Sequence, residues 1–460
     1  MTTTLVVPRS IGNELSEAAS AAVESGGVLL ARCVETPTGN TRLLGHTMRW
    51  VPTHAYQTRE ATELVVASEG FVPALTDAEE HGSIPIWTHT HPGTISTPMP
   101  SARDHLVDAR LADAFRLRSG SPWYGAVIVS QTGDNLDFTG HIESETSRVD
   151  IDRLWSTGTR YALALNWLHD RTPPNEIFDR SIRAFGGAIQ AVLGELRVAV
   201  VGCGGTGSAV IEQLARLGVR NFQIFDPDTL TASNLTRVYG SSPDDIGRPK
   251  VHVLASHINR IAPDVEVVAE HSSITHQCTA KRLLDADVIF GCTDDNAGRL
   301  VLSRIATYLM TPVIDCGVKL TSSNGGSLMG IDGRVTVLGP GAACLVCRER
   351  IDFARAAAEM LTPDEHRRRL AEGYAPSMPD VEPAVITYTT QVAAAAVSEL
   401  LERLVHYGPE PPPTELLVRM HERELSTNSQ HPREGHYCDP AVGRLGRGVT
   451  EPFLEQAWQG

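Results

Sequence analysis

Two sets of residues in this 460-residue chain have the types and spacing to do chemistry. The first begins where an apolar run, Val198-Ala-Val-Val201, enters a turn holding Gly202, Gly204, Gly205 and Gly207. Glycines let a backbone approach an anion closely, and a helix starting near Thr206 would aim unpaired N–H groups and its positive dipole end at a phosphate. Taken alone, the turn fits NAD or FAD as well as ATP. Asp226, at the end of the next apolar run, sits where a ribose hydroxyl is held. Asn234, Arg237 and Lys250 then add an amide and two cations that a dinucleotide does not require, whereas the β- and γ-phosphates of ATP do. Asp295 ends a later strand, the place for a Mg2+ ligand, and Asn296 beside it is a further nucleotide contact or simply a helix cap. Singly, each cation reads as a solvated surface charge. Their joint order selects a nucleotide-activating site.

The second set lies far upstream. His89 and His91 alternate on a strand and so present two imidazoles on one face, and Asp104 is spaced to return from a helix as a third ligand. That leaves an open position for water, the arrangement of a catalytic Zn2+. Glu24, just before the first long strand, is the candidate base, and Ser101 the candidate donor to an oxyanion. A lone His-X-His is also a common surface pattern, so the weight rests on the full set. Separately, Cys344-Leu-Val-Cys347 has the spacing of half a structural zinc site, of a redox pair, or of two reduced thiols.

Elements to position these residues are legible. Upstream, strands at 27–34, 63–67, 84–89 and 124–130 predict a mixed sheet flanked by helices. Downstream, strands at 196–202, 221–225, 265–269, 287–291 and 312–315 alternate with helices near 207–217, 249–261, 278–285 and 297–309, the rhythm of a mostly parallel sheet. Asp332-Gly333 reads as a hairpin turn, the Ala-rich stretch from Pro383 to Val405 as a helix, and 415–420 as a strand. The fold class is therefore α/β. Its expected parts are a first domain over 1–145, a linker over 146–175 ending in Asp170-Arg-Thr-Pro-Pro-Asn175, a nucleotide domain over 176–445 and a tail over 446–460.

Composition narrows the classes. With 42% hydrophobic and 21% charged residues the balance is globular, and a net charge of −15 argues against nucleic acid and anionic membranes as partners. No run has the length of a membrane span and the start lacks a signal-peptide layout, so the expected location is the cytoplasm. Eight cysteines in so long a chain do not make a disulfide framework.

Residues 176–440 resemble the ubiquitin-activating E1-like superfamily of ThiF/MoeB/HesA adenylyltransferases through the glycine loop, Asp226, Asn234, Arg237, Lys250 and Asp295. The resemblance implies a Rossmann-type doubly wound sheet, ATP and Mg2+. It also implies attack of the C-terminal carboxylate of a small ubiquitin-like or sulfur-carrier protein on the α-phosphate of ATP, with release of pyrophosphate. Phe178-Asp-Arg180 is similar to the family's opening motif, which makes Arg180 the candidate for reaching the γ-phosphate of a neighbouring subunit and implies a homodimer. Relatives complete their zinc site with a second cysteine pair near the C-terminus; here Cys438 remains, with His436 or His431 as the fourth ligand. No cysteine lies between Cys347 and Cys438, where the family's acceptor thiol falls, and Cys203 and Cys316 read as buried, so a separate acceptor or sulfur donor is expected to collect the acyl group.

Residues 1–145 resemble the JAB/MPN (JAMM) zinc isopeptidases through Glu24, His89, His91, Ser101 and Asp104, with a slightly longer loop between Pro92 and Ser101. Those enzymes cut after the C-terminal glycine of ubiquitin-like modifiers. Together the resemblances imply that one chain both processes and activates such a tail. The alternatives are a peptide-adenylating enzyme of natural-product biosynthesis whose first domain cleaves the product, and a non-catalytic tail-binding regulator.

Overall fold

The computed structural model describes residues 1–93, 98–133, 135–166, 176–262, 264–323, 327–372 and 383–458. It forms two compact units, Met1–Arg171 with Leu445–Gly448, and Thr172–Arg444 with Val449–Gly460. No helix among the described residues is long and apolar enough to cross a membrane.

The strands of the first unit are β1 (Thr3–Pro8), β2 (Gly26–Glu35), β3 (Thr41–Trp50), β4 (Tyr56–Arg59), β5 (Leu64–Val66), β6 (Ile84–Thr90), β7 (Tyr124–Thr132), β8 (Asn135–Glu143), β9 (Arg148–Asp150), β10 (Arg153–Thr157) and β11 (Ala162–Leu165). Its helices are α1 (Arg9–Ala19), α2 (Val72–His81) and α3 (Ala102–Ser119). One mixed sheet runs in the order β11-β10-β1-β3-β2-β6-β7-β8-β9, and β4-β5 stand apart as a ribbon. Alternation along β2 explains the layering. Leu29 and Ala31 face a core with Ile11, Leu15 and Ala19 of α1, while Val28 and Leu30 face the opposite core with Ala74, Leu75 and Phe115 of α2 and α3. Buried on both faces, β2 reads as a continuous apolar run in the sequence. Helix α3 starts from a capping box in which the Ser101 side chain accepts the Asp104 N–H and Asp104 accepts the Ser101 N–H.

This unit runs past residue 145. Strands β9, β10 and β11 occupy the stretch expected to be linker, and β10 pairs in parallel with β1 at the N-terminus. The remainder of that linker, 167–175, lies outside the described residues. The expected tail is divided as well, with Leu445–Gly448 belonging to the first unit.

In the second unit the strands are β12 (Arg197–Val201), β13 (Asn221–Phe225), β14 (Glu266–Glu270), β15 (Val288–Gly291), β16 (Val313–Ser322), β17 (Leu328–Leu338), β18 (Glu415–Arg419) and β19 (Glu424–Asn428). The helices are α4 (Asp179–Phe185), α5 (Gly187–Glu195), α6 (Gly205–Leu217), α7 (Lys250–Ile261), α8 (Gln277–Arg282), α9 (Asn296–Tyr308), α10 (Phe353–Glu359), α11 (Pro363–Ala371) and α12 (Ile386–Val405). The sheet order is β14-β13-β12-β15-β16-β17-β18-β19, parallel from β14 to β16 and antiparallel beyond. The chain enters at β12, moves outward through β13 and β14, then returns to β15 on the other side of β12. Ligands bind at the carboxyl ends of strands at such a reversal.

Asp332-Gly333 does not form the expected turn. Both residues lie inside β17, paired with Lys319 and Val318 on one side and with Arg419 and Val418 on the other. Glycine is required at 333 because a Cβ would stand 2.4 Å from Val392 of α12, which packs on β17.

The strand-to-helix turn is the tightest constraint in this unit. Gly202 has φ +93°, and a Cβ on Gly207 would come within 1.8 Å of the Gly202 carbonyl oxygen. Gly207→Ala therefore forces β12 and α6 apart. We expect a loss of about 2–4 kcal/mol in denaturant unfolding; a loss below about 0.5 kcal/mol would show that the turn relaxes freely.

Candidate functional site

The residues of the glycine turn and the carboxylate-bearing strand ends meet at the reversal between β12 and β15. Gly204 is the N-cap of α6 and provides no side chain to its first turn, so those N–H groups stay available to an anion. Nothing stands within 4 Å of where a Gly204 Cβ would lie. Arg237 packs against this helix start, its Cδ 3.2 Å from the position of a Gly205 Cβ, and it donates to the Ser233 carbonyl at 3.0 Å. Asn234 is buried and accepts the Thr231 N–H at 3.1 Å, which shapes the turn that presents Arg237.

Asp226 follows β13 and is buried. Its Oδ2 accepts the Cys203 N–H at 2.7 Å and its Oδ1 the Asp228 N–H at 2.8 Å. Burial pushes the Asp226 carboxyl up, and Lys250 and the two N–H donors pull it back. Lys250, at the first position of α7, places Nζ 2.7 Å from Asp228 Oδ2 and 3.7 Å from Asp226 Oδ1. Burial works against its charge, but the two carboxylates outweigh it and raise the Lys250 pKa. Asp228, two residues beyond Asp226 in Asp226-Pro-Asp228, is the nearer partner of Lys250.

Asp295 caps α9, with its carboxylate accepting from Gly298 N and the Thr293 hydroxyl. Beside it, Glu359 of α10 accepts the Ala297 N–H at 2.8 Å, and Asn296 Oδ1 accepts the Asp352 N–H at 2.9 Å. Asn296 thus holds α10 against α9, an assignment that no local sequence signal carried. Arg180 is exposed on α4. Burial, then Asp226, pushes the Cys203 thiol far up, and Cys316 is buried beside Cys292, so neither is poised as a nucleophile.

Cys344, Cys347, Cys438 and His436 converge in one buried cluster, and His431 is not part of it. The His436 Nδ1 lies 3.6, 3.3 and 3.3 Å from the sulfurs of Cys344, Cys347 and Cys438, and Cys347 to Cys438 is 3.6 Å. Ligands of a tetrahedral zinc with these atoms stand about 3.6–3.8 Å apart, so the set fits a structural ion.

Within the first unit, His89 Nε2 and His91 Nε2 are 3.2 Å apart, and Asp104 oxygens lie 3.5 Å from each. Nitrogen and oxygen ligands about 2.0–2.1 Å from a tetrahedral zinc are about 3.3–3.4 Å apart, so three donors match and a fourth position is left open. Burial works to raise the Asp104 carboxyl, but hydrogen bonds from His89, His91 and Ser101 hold it well below the usual range. Ser101 is the residue that orients Asp104 through the capping box. Of the loop from Pro92 to Ser101, residues 94–97 lie outside the described residues. Strands β2 and β6 pair Gly26 with His89, and the Thr90 N–H to Ser25 carbonyl bond continues that register toward Glu24 and His91. Glu24 is buried, and that burial pushes its carboxyl up to about 7 against the opposing pull of His91.

Residues 178–438, more than half of the chain, match the ThiF family. The chain belongs to the ThiF family. This ThiF-family region lies in the second unit. The chain is similar to the sulfur carrier protein ThiS adenylyltransferase of Escherichia coli, 30% identical over 151 residues that cover 33% of this chain and 56% of that protein. It is also similar to the SAMP-activating enzyme E1 of Haloferax volcanii, 28% identical over 151 residues, covering 33% and 52%. The chain spans about half the length of these two curated relatives. A crystal structure of E. coli MccB with ATP aligns with TM-score 0.45 and 17% identity, over 58% of this chain and 75% of that one.

Each of the two ligand clusters has the donors for one zinc ion. Elemental analysis of the dialysed full chain should give about two zinc ions, falling to about one in His89→Ala and to about one in Cys347→Ser. An unchanged metal content in either variant would remove the corresponding site.

Proposed function

We propose that the ThiF-family unit adenylates the C-terminal carboxylate of a small ubiquitin-like or sulfur-carrier protein, and that the first unit hydrolyses the bond after that tail's glycine. What supports the first part is an uncapped helix start with Arg237 against it, Lys250 beside Asp226, which binds the same turn, and Asp295 capping the helix after the neighbouring strand β15. Names of the relatives supply the substrate class, since one activates ThiS and another SAMP.

In this reading the N–H groups of α6 and Arg237 hold the phosphates, and Lys250 turns from Asp228 toward them. Asp226 receives the ribose. A carboxylate oxygen of the tail attacks the α-phosphorus, the bond to the bridging oxygen of the β-phosphate breaks, and pyrophosphate leaves with its charge balanced by Arg237 and Lys250. Asp295 would hold Mg2+, which would supply the remaining countercharge. Arg180 reaches the γ-phosphate of a second copy, so the working unit is a homodimer. With no cysteine between Cys347 and Cys438, the acyl-adenylate passes to a nucleophile on another molecule.

The peptidase reading rests on three converging donors next to a buried acid, the constellation of the JAB/MPN zinc isopeptidases. Zinc held by His89, His91 and Asp104 would polarise the scissile carbonyl and acidify water. Glu24, its carboxyl pushed up to about 7 by burial, accepts a proton from the attacking water and delivers it to the leaving amine as the C–N bond breaks. Ser101 keeps its hydroxyl hydrogen free to donate to the oxyanion, since its oxygen accepts from Asp104.

ATP–pyrophosphate exchange dependent on a carrier ending in glycine tests the adenylation, and Lys250→Ala should lower its kcat/KM by about 100-fold or more. Absence of exchange with any glycine-ended carrier would overturn the reading. Glu24→Ala should abolish tail cleavage while exchange stays within about two-fold of the parent; equal loss of both activities would contradict two independent sites.

A further inference from the structure

A groove opens directly on the candidate metal ligands of the first unit, with His89 and Asp104 in its wall. Strand register defines its floor. His89 stands opposite Ile128 and Ile128 opposite Thr139; one pair further along, Trp87 stands opposite Ala126 and Ala126 opposite His141. Alternation puts these two rows on one face of the sheet, the face covered by α3. Ala126, set between two rings, leaves the space that a larger side chain would fill. Val107 of α3 adds an apolar wall.

The far end of the groove is polar, lined by His141, Arg148, Asp108 and Asp150, and most of these groups pair with one another. Arg148 can only donate, so its 3.1 Å contact with His141 Nδ1 puts the imidazole proton on Nε2, 3.3 Å from Asp108. Asp108 also accepts from the Tyr124 hydroxyl at 2.8 Å, and Arg148 pairs with Glu143 at 3.2 Å. An ionic guest would compete with the Arg148, Asp108 and Glu143 pairs. An aromatic or long aliphatic guest gives up only water, and the guanidinium and imidazole planes offer it stacking surfaces.

We propose that this groove is a specificity subsite for a large apolar, preferentially aromatic, side chain on the residue that follows the scissile bond. The inference rests on the peptidase reading: the tail glycine has no side chain, so the guest belongs to the leaving side, and the groove begins at the residues that would hold the zinc.

Zinc-loaded full-length protein, incubated with acetyl-Ala-Ala-Gly-Gly-Xaa-Ala-amide peptides, tests it by chromatographic kcat/KM. Phenylalanine and leucine at Xaa should be cleaved at least about ten-fold better than alanine, lysine or aspartate. Thr139→Phe, which fills the floor, should bring the Phe-to-Ala ratio to within about two-fold, and Ala126→Val, a β-branched residue suited to a strand, should lower the ratio in the same direction. Zinc content reports that each variant is folded. Cleavage with no preference, a preference for lysine or aspartate, or an unchanged ratio in both folded variants overturns the subsite alone. No cleavage of any peptide overturns the peptidase reading and the subsite with it.

Discussion

The Asp226 carboxylate, buried at the end of β13, accepts the Cys203 N–H from the turn after β12, so two neighbouring strand ends are tied where the strand order reverses. Much else in the second unit depends on that tie. It holds the glycine turn in place, and the turn in turn requires glycine at 202 and 207, where carbonyl oxygens leave no room for a Cβ. A helix that starts there without a cap keeps its donors for an anion. The same carboxylate, with Asp228, raises the Lys250 pKa and keeps a buried cation at the edge of the site. Backbone donors and a buried cation are thus organised by one acid, whose own charge would oppose a bound phosphate.

Such an arrangement was largely visible in the chain itself. Short apolar runs ending in glycine or aspartate mark the parallel strands, because a strand buried on both faces must be apolar throughout and its carboxyl end must turn. Contacts that depend on distant partners were hidden. Gly333 looks like a turn residue, yet its cause is Val392 on a helix some sixty positions later. Strand β10 looks like linker because its pairing partner is β1, at the opposite end of the first unit. Glu359 and Asp352, which fasten α10 to α9, belong to no local pattern.

Metal ligands follow the same division. His89 and His91 are legible from strand alternation and Asp104 from its spacing on a following helix, while the capping box that fixes that helix start is seen only in the fold. The choice of His436 over His431 was not legible, since both lie in one turn-rich segment and only the fold decides which ring reaches the sulfurs. Glu24 gains its character from burial beside β6, a tertiary effect that raises its carboxyl to about 7 without any special neighbour in sequence.

The central claim is that the turn at 202–207 holds a triphosphate and that the cations around it are the reason. Calorimetric titration of the full chain with ATP and Mg2+, and separately with NAD, tests this most directly. The account predicts saturable ATP binding that weakens at least about ten-fold in Arg237→Ala and in Lys250→Ala, and no binding of NAD at the same concentrations. Tighter binding of NAD than of ATP, or ATP affinity unchanged in both variants, would contradict it.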